Sequence, residues 1–246
     1  MAGLFIAFEG GEGAGKTTQS RLLADRLAGL EIPYLLLREP GGTELGEYLR
    51  GYLKSERPLA PEAELLLFEA ARVELVTSRL RPALESGSAV IADRFYGSTI
   101  AYQGHGRGID LEVIASMNSF AAQGINPHLT FLLDLDPEEG LKRTMGHQMA
   151  FTLDTGGDLA LLSRTQEGTR FEELDLEFHH RARKGFLEQA KAIPESWRIV
   201  DAGQSVEAIG WEIWKEVEKA LDAVMEVVPD HVKQSVPQGE FWPQGA

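Results

Sequence analysis

The run Gly10, Gly11, Glu12, Gly13, Ala14, Gly15, Lys16, Thr17 has the spacing G-x-x-x-x-G-K-[ST]. Its residue types fit the handling of a polyphosphate. Glycines let successive backbone N–H groups turn inward around phosphate oxygens, and a helix N-terminus adds partial positive charge. In such a cradle, running on to Thr18, Lys16 reaches the β- and γ-phosphates and the Thr17 hydroxyl ligates Mg2+. The apolar run Leu4 to Phe8 precedes the glycines and a helical period opens at Lys16, which is the context the motif requires. ATP or GTP binding is expected. The guanine-reading motif Asn-Lys-x-Asp is absent, which counts against a GTPase.

A second constellation is Asp93-Arg94-Phe95, placed directly after the apolar run Ala89 to Ala92. An acid at the carboxyl end of a central strand lies beside a phosphate loop, where Asp93 can serve Mg2+ or its water shell. Arg94 offers a planar fork to phosphate oxygens.

These residues must be positioned by an α/β framework. Short β-rich runs at Leu4–Glu9, Pro33–Leu37, Ala89–Asp93, Leu129–Leu135 and Arg198–Asp201 alternate with stretches of helical period. The helical stretches are Lys16–Ala28, Thr43–Lys54, Ala63–Glu85, Leu111–Ala122, Phe171–Ile193 and Val206–Val224. Right-handed crossovers place them on both faces of a five-stranded parallel sheet. One domain, residues 1–225, is expected. It includes a lid at about 143–172, where Met145 to Ser163 has no clear period, and residues 226–246 read as an extended tail with Pro229, Pro237 and Pro243.

Composition narrows the partners. The 246 residues carry 24 Lys+Arg against 38 Asp+Glu, a net charge of −14, so nucleic acid and anionic membranes are disfavoured. An anionic substrate must meet a local gathering of Arg and Lys. Zero cysteines exclude thiolate zinc sites and cysteine nucleophiles. The first apolar run is too short for a signal peptide core and no run approaches ~18 apolar residues, so a soluble cytoplasmic protein is expected.

Taken together, Phe8 to Gln19, Arg38-Glu39-Pro40-Gly41-Gly42-Thr43, Phe68-Glu69-Ala70-Ala71-Arg72, Asp93-Arg94-Phe95 and Ala101-Tyr102-Gln103-Gly104 resemble, in order and spacing, the bacterial thymidylate kinases. The resemblance covers most of residues 4 to about 225. It implies a P-loop kinase fold, transfer of the ATP γ-phosphoryl to dTMP with Mg2+, and a homodimer. Position by position, it implies that Phe68 stacks on thymine, that Arg72 donates to a base carbonyl, and that Thr99 and Gln103 add base contacts near Pro40. It makes Tyr102 the wall against the sugar and Glu12 a contact near the 3′-hydroxyl, with Arg50 and Arg94 holding the acceptor phosphate.

The nucleophile in such a reaction is a phosphate oxygen, already anionic, so catalysis reduces to alignment and charge neutralisation. The phosphate loop has Gly13 where some relatives carry an Arg, and the resemblance then places the missing guanidinium in the lid. Arg164 and Arg170 are the candidates, with Arg143 behind them on the preceding helix. Thr169 stands where the family's lid element Asp-Arg-hydrophobic-acid has its acid. Two other readings are a deoxynucleoside kinase with Glu39 as base, and a regulatory nucleotide-binding module without catalysis.

Overall fold

The computed structural model of the chain describes residues 3–55, 57–154 and 174–224, without the side chains of residues 146–154 and 224. Five strands, β1 (Phe5–Glu9), β2 (Tyr34–Arg38), β3 (Ala89–Asp93), β4 (Leu129–Asp134) and β5 (Trp197–Asp201), form one sheet in the order β2-β3-β1-β4-β5. All four pairings are parallel. The sheet is therefore the expected α/β framework, with no strand limit shifted by more than one residue.

Strand periodicity divides the core in two. On β1, Ile6 and Phe8 join one buried cluster while Phe5 and Ala7 join another. Successive side chains on a strand point to opposite faces, so both faces of the sheet are covered. On the first face lie α1 (Lys16–Gly29) and the C-terminal helix Val206–Val224, through Leu23, Leu27, Ile213, Trp214 and Val217. On the second lies the chain after α2 (Glu44–Lys54), namely α3 (Pro61–Leu75), a π-helical turn Val76–Leu80 and α4 (Arg81–Glu85), through Leu75, Val76 and Leu80.

Local chemistry sets the helix starts. The Thr43 hydroxyl accepts from the Gly46 N–H at 2.9 Å to open α2, and Pro61 occupies the first turn of α3, where a missing N–H costs nothing. The stretch expected as one helix, Ala63 to Glu85, is continuous in course but not in pitch. Pro82 cannot donate to the Ser78 carbonyl and crowds it, and the ladder widens so that the Arg81 N–H bonds the Val76 carbonyl.

A helical segment unmarked by apolar period follows β3: α5 (Tyr96–Thr99) passes into a second π-helical stretch, Ile100–Gly106, ahead of α6 (Leu111–Ala122). The region from Met145, expected as irregular, is helical as far as Asp154 within α7 (Pro137–Asp154). Asp136 accepts from the Glu138 N–H to start it, and no proline interrupts it before its end. The next helix, α8 (Leu176–Ala192), opens five residues later than expected, at a cap where Asp175 accepts from the Phe178 N–H; α9 (Val206–Val224) ends the described chain. Arg164, Arg170 and the tail 226–246 lie outside the described residues.

Two glycines bind the phosphate loop to the body of the fold. Gly13 has φ +66°, and a Cβ there would overlap the Gly140 carbonyl oxygen, while a Cβ on Gly140 would overlap the Glu12 carbonyl oxygen. The loop and the first turn of α7 thus touch backbone to backbone, a contact open only to glycine. Gly140→Ala is expected to lower the urea unfolding free energy by about 1 to 3 kcal/mol. Gly51→Ala, at an ordinary φ with open space around it on exposed α2, is expected to raise it by about 0.5 to 1 kcal/mol.

Candidate active site

The site forms where β1 and β3 end side by side. β1 runs into the loop Gly10–Gly15, whose last residue is left-handed at φ +86° and opens α1 directly onto Lys16. β3 runs into Asp93 and Arg94. Phe8 and Asp93 are register partners, so the two motifs meet without any long side chain having to bridge them.

Thr17 Oγ1 donates to Asp93 Oδ2 at 2.5 Å, which brings together the two residues expected at a metal. Both are oxygen donors, as a hard dication prefers. Among the described residues no cluster of three or more His, Asp or Glu could hold a metal ion. A Mg2+ that keeps water and phosphate oxygens as most of its ligands fits such a sparse protein donor set.

Lys16 is nearly buried, and its ammonium donates to the Gly11 carbonyl at 2.6 Å, so it lies curled into the loop. Burial, with Arg94 nearby, brings its pKa down to about 8 against the pull of Glu12 and Asp93. Arg94 has the left-handed φ of +73°, rare for a non-glycine. Its guanidinium donates to the Gly10 carbonyl at 3.0 Å, Ser98 Oγ at 3.0 Å, Glu12 Oε1 at 2.8 Å and the Tyr102 hydroxyl at 3.3 Å. Tyr102 in turn donates to Glu12 Oε1 at 2.9 Å. Burial alone would raise Glu12, but Arg94 and Lys16 outweigh it and hold the carboxyl down at about 2.

Beneath Arg94 sits Glu9, which sequence reasoning left in a strand. It is 1% exposed, its Oε1 accepts from the Phe95 and Ser98 N–H groups, and its Oε2 accepts from Ser98 Oγ at 2.6 Å. Burial pushes its pKa up to about 7. Glu9 thereby caps α5 and, through Ser98, supports the guanidinium above it.

Beside this cluster, α3 faces the segment Tyr96–Gly106. Glu64, Phe68 and Arg72 follow each other at four-residue spacing on α3, hence along one face. Arg72 is 1% exposed. Its five N–H groups reach Glu39, Glu69, Asn118 Oδ1 and Thr99 Oγ1 at 2.7 to 3.2 Å. Expected as a donor to a base carbonyl, it ties four protein groups together in this structure. Burial holds the Glu39 and Glu69 carboxyls above the usual range although Arg72 opposes it.

Glu39 therefore spends its oxygens on Arg72, and the reading that made it a base for a substrate hydroxyl loses its support. The Glu39-Pro40 peptide is cis, and the Pro40 carbonyl accepts from Arg50 at 3.0 Å, which brings Arg50 to the mouth of the same crevice. Phe68 is half-buried on the face that α3 turns toward Gln103 and Thr99. Arg143 is directed elsewhere, to the Ala202 carbonyl and Glu139.

The site thus brings a phosphate loop, an Asp–Thr pair and a clamped arginine together, with the Phe68 face of α3 turned toward the segment that carries Tyr102. The sequence model of the thymidylate kinase family matches residues 8–213. The chain is 41% identical over 223 residues to the thymidylate kinase of Roseiflexus sp. (strain RS-1), covering 90% of this chain and 96% of that one. It is 45% identical over 220 residues to that of Gloeobacter violaceus, covering 89% and 96%. This chain belongs to the thymidylate kinase family. A crystal structure of thymidylate kinase from Ehrlichia chaffeensis superposes with a TM-score of 0.68 at 32% identity, covering 89% of this chain and 99% of that one. The family is one of P-loop phosphotransferases, which accounts for both the parallel sheet and the glycine loop.

Glutamates 9, 64 and 69 are the site residues that sequence reasoning missed. For Glu64 the available signal was its i, i+4, i+8 alignment with Phe68 and Arg72, a charged pair flanking a ring on one helix face.

The electrostatics of Glu12 give a measurable consequence. A carboxyl depressed in the folded state adds stability above its unfolded value near 4.5 and loses it as pH falls toward 2. Going from pH 5.5 to 3.5 is expected to cost the wild-type chain on the order of 1 kcal/mol more than Glu12→Gln, read from urea unfolding at the two pH values.

Proposed function

We propose that this chain transfers the γ-phosphoryl of ATP to dTMP, with Mg2+ held by Thr17 and Asp93, as a cytoplasmic homodimer. The observation that carries the reading is the meeting of Lys16 and Arg94 around the single carboxylate of Glu12. One cation belongs to the donor's phosphate loop and the other faces the acceptor side, so two polyphosphates can approach end to end.

In this reading a nonbridging oxygen of the dTMP phosphate attacks the γ-phosphorus, a new P–O bond forms, and the bond to the β,γ-bridging oxygen breaks as ADP departs. No base is needed. When bound, Mg2+ supplies neutralisation of charge on the β- and γ-oxygens. Lys16 uncurls from the Gly11 carbonyl onto the phosphates, and the anionic environment restores its full charge. Arg94 exchanges part of its bonding to Glu12 for an acceptor phosphate oxygen, with Arg50 on the other side. The thymine lies against Phe68 with its edge toward Arg72, Thr99 and Gln103, and Tyr102 bounds the sugar. Arg170 and Arg164 supply the closing positive charge.

Coupled ADP release measured over a panel of monophosphates tests this. Turnover is expected with dTMP and not with thymidine, whose hydroxyl would need a base that Glu39 does not provide. Arg170→Ala is expected to lower kcat by about 10²-fold or more with little change in ATP affinity. An unchanged kcat would remove that residue from the mechanism.

The dimer rests on exposed apolar side chains gathered on adjoining helices. Tyr48 is 75% exposed on α2, Leu66 57% on α3 and Phe120 79% on α6, and α3 packs against both of the others. A contiguous apolar face of this kind invites a second copy. Phe120→Asp is expected to shift the sedimentation coefficient from dimer toward monomer while leaving far-ultraviolet dichroism unchanged.

A further inference from the structure

The face of α3 that carries Phe68 has a polar rung on either side of the ring. Toward its C-terminal end Arg72 donates to Thr99 Oγ1 at 2.9 Å, and toward its N-terminal end Glu64 accepts from Gln103 Nε2 at 2.9 Å. Thr99 and Gln103 are four residues apart on the facing segment, while Glu64 and Arg72 are eight apart on α3, with Phe68 midway between them. Glu64 is wholly buried and also holds Arg107 in a two-pronged ion pair, with Nε to Oε1 at 3.2 Å and Nη2 to Oε2 at 3.0 Å.

An ionised carboxylate only accepts hydrogen bonds, whereas a carboxamide has one accepting and one donating end. With Arg107 as its counter-charge, Glu64 can meet Gln103 only through the Nε2 end. The Gln103 carbonyl oxygen is then turned away from Glu64, and among the described residues no donor reaches it. Thymine and uracil carry a hydrogen on N3, while cytosine presents a lone pair there. A fixed carbonyl oxygen accepts from the first two and repels the third.

We infer that Glu64 is a specificity-determining positioning residue: by locking the amide of Gln103 it makes the acceptor pocket reject cytosine. Glu64 does not touch the base; it acts through Gln103. The inference rests on the proposed placement of the acceptor base against Phe68 and adds the reason why one pyrimidine class is refused.

The test compares kcat/KM for dTMP and dCMP in the full-length wild type and in Glu64→Gln. A neutral amide at 64 can donate as well as accept, which frees Gln103 to rotate. The dTMP-to-dCMP ratio is expected to fall by about tenfold or more, the scale of one hydrogen bond, with dCMP gaining in absolute terms. A loss shared equally by the two substrates, leaving the ratio intact, would reduce Glu64 to a structural role and overturn the inference. Arg107→Met keeps the question open to measurement should Glu64→Gln fail to fold. It removes the counter-charge, lets Glu64 hold a proton and donate, and is expected to lower the ratio in the same direction; an unchanged ratio would again overturn the inference. A wild type that fails to phosphorylate dTMP at all would instead defeat the functional reading.

Discussion

Two cations buried close enough to feel each other repel, and the groups around this crevice make that tolerable. Burial and then Arg94 disfavour the charged form of Lys16, and burial disfavours that of Arg94. Glu12, Asp93 and Glu9 offset it. The strand order β2-β3-β1-β4-β5 brings β1 and β3 side by side, and parallel pairing makes both carboxyl ends emerge at the same edge. An acidic chain can in this way build one positive crevice without changing its overall charge. The same carboxylates hold the two cations in place.

The support for Arg94 extends one layer deeper. Its backbone is left-handed, a conformation that costs a non-glycine about 1 kcal/mol or more. Glu9 secures it from below by capping the first turn of α5 with both carboxylate oxygens. Gly97 is part of this arrangement, since a Cβ there would lie 2.8 Å from Glu9 Oε1. The strained residue, its carboxylate anchor and the glycine that admits the anchor act as one piece. The guanidinium is therefore positioned before any ligand arrives, which is what charge neutralisation at a transferring phosphoryl group requires.

Legibility in the sequence followed how directly backbone geometry fixes a side chain. Lys16, Thr17 and Asp93 were readable because a glycine loop after one strand and an acid at the end of another leave them few positions to occupy. The sheet itself was readable from apolar runs. The two π-helical stretches were not, because an apolar pattern reports a period near 3.6 and says nothing about a local widening around Pro82 or before Arg107. Glu9 was hidden for another reason. A carboxylate closing an apolar strand ordinarily meets solvent, and only the return of the chain at Phe95 and Ser98, almost ninety residues on, buries it. Arg72 shows the converse: its place on α3 was legible, but its four hydrogen-bonding partners come from four separate parts of the chain, contacts that sequence separation conceals.

Those contacts also bear on how a pocket can be selective with so few side chains. A lone Arg or Gln facing a base is free to rotate, and a flexible donor or acceptor adapts to the wrong partner at little cost. Here the groups around Phe68 are held from behind: Arg72 by Glu39, Glu69 and Asn118, Gln103 by Glu64. Each buried carboxylate in this layer is costly taken alone, and a purely apolar backing would stabilise the fold as well or better. What the ionic layer supplies is orientation. It removes rotational freedom from Arg72 and Gln103, and in the proposed reading a mismatched base then meets a like dipole that has no means of turning away.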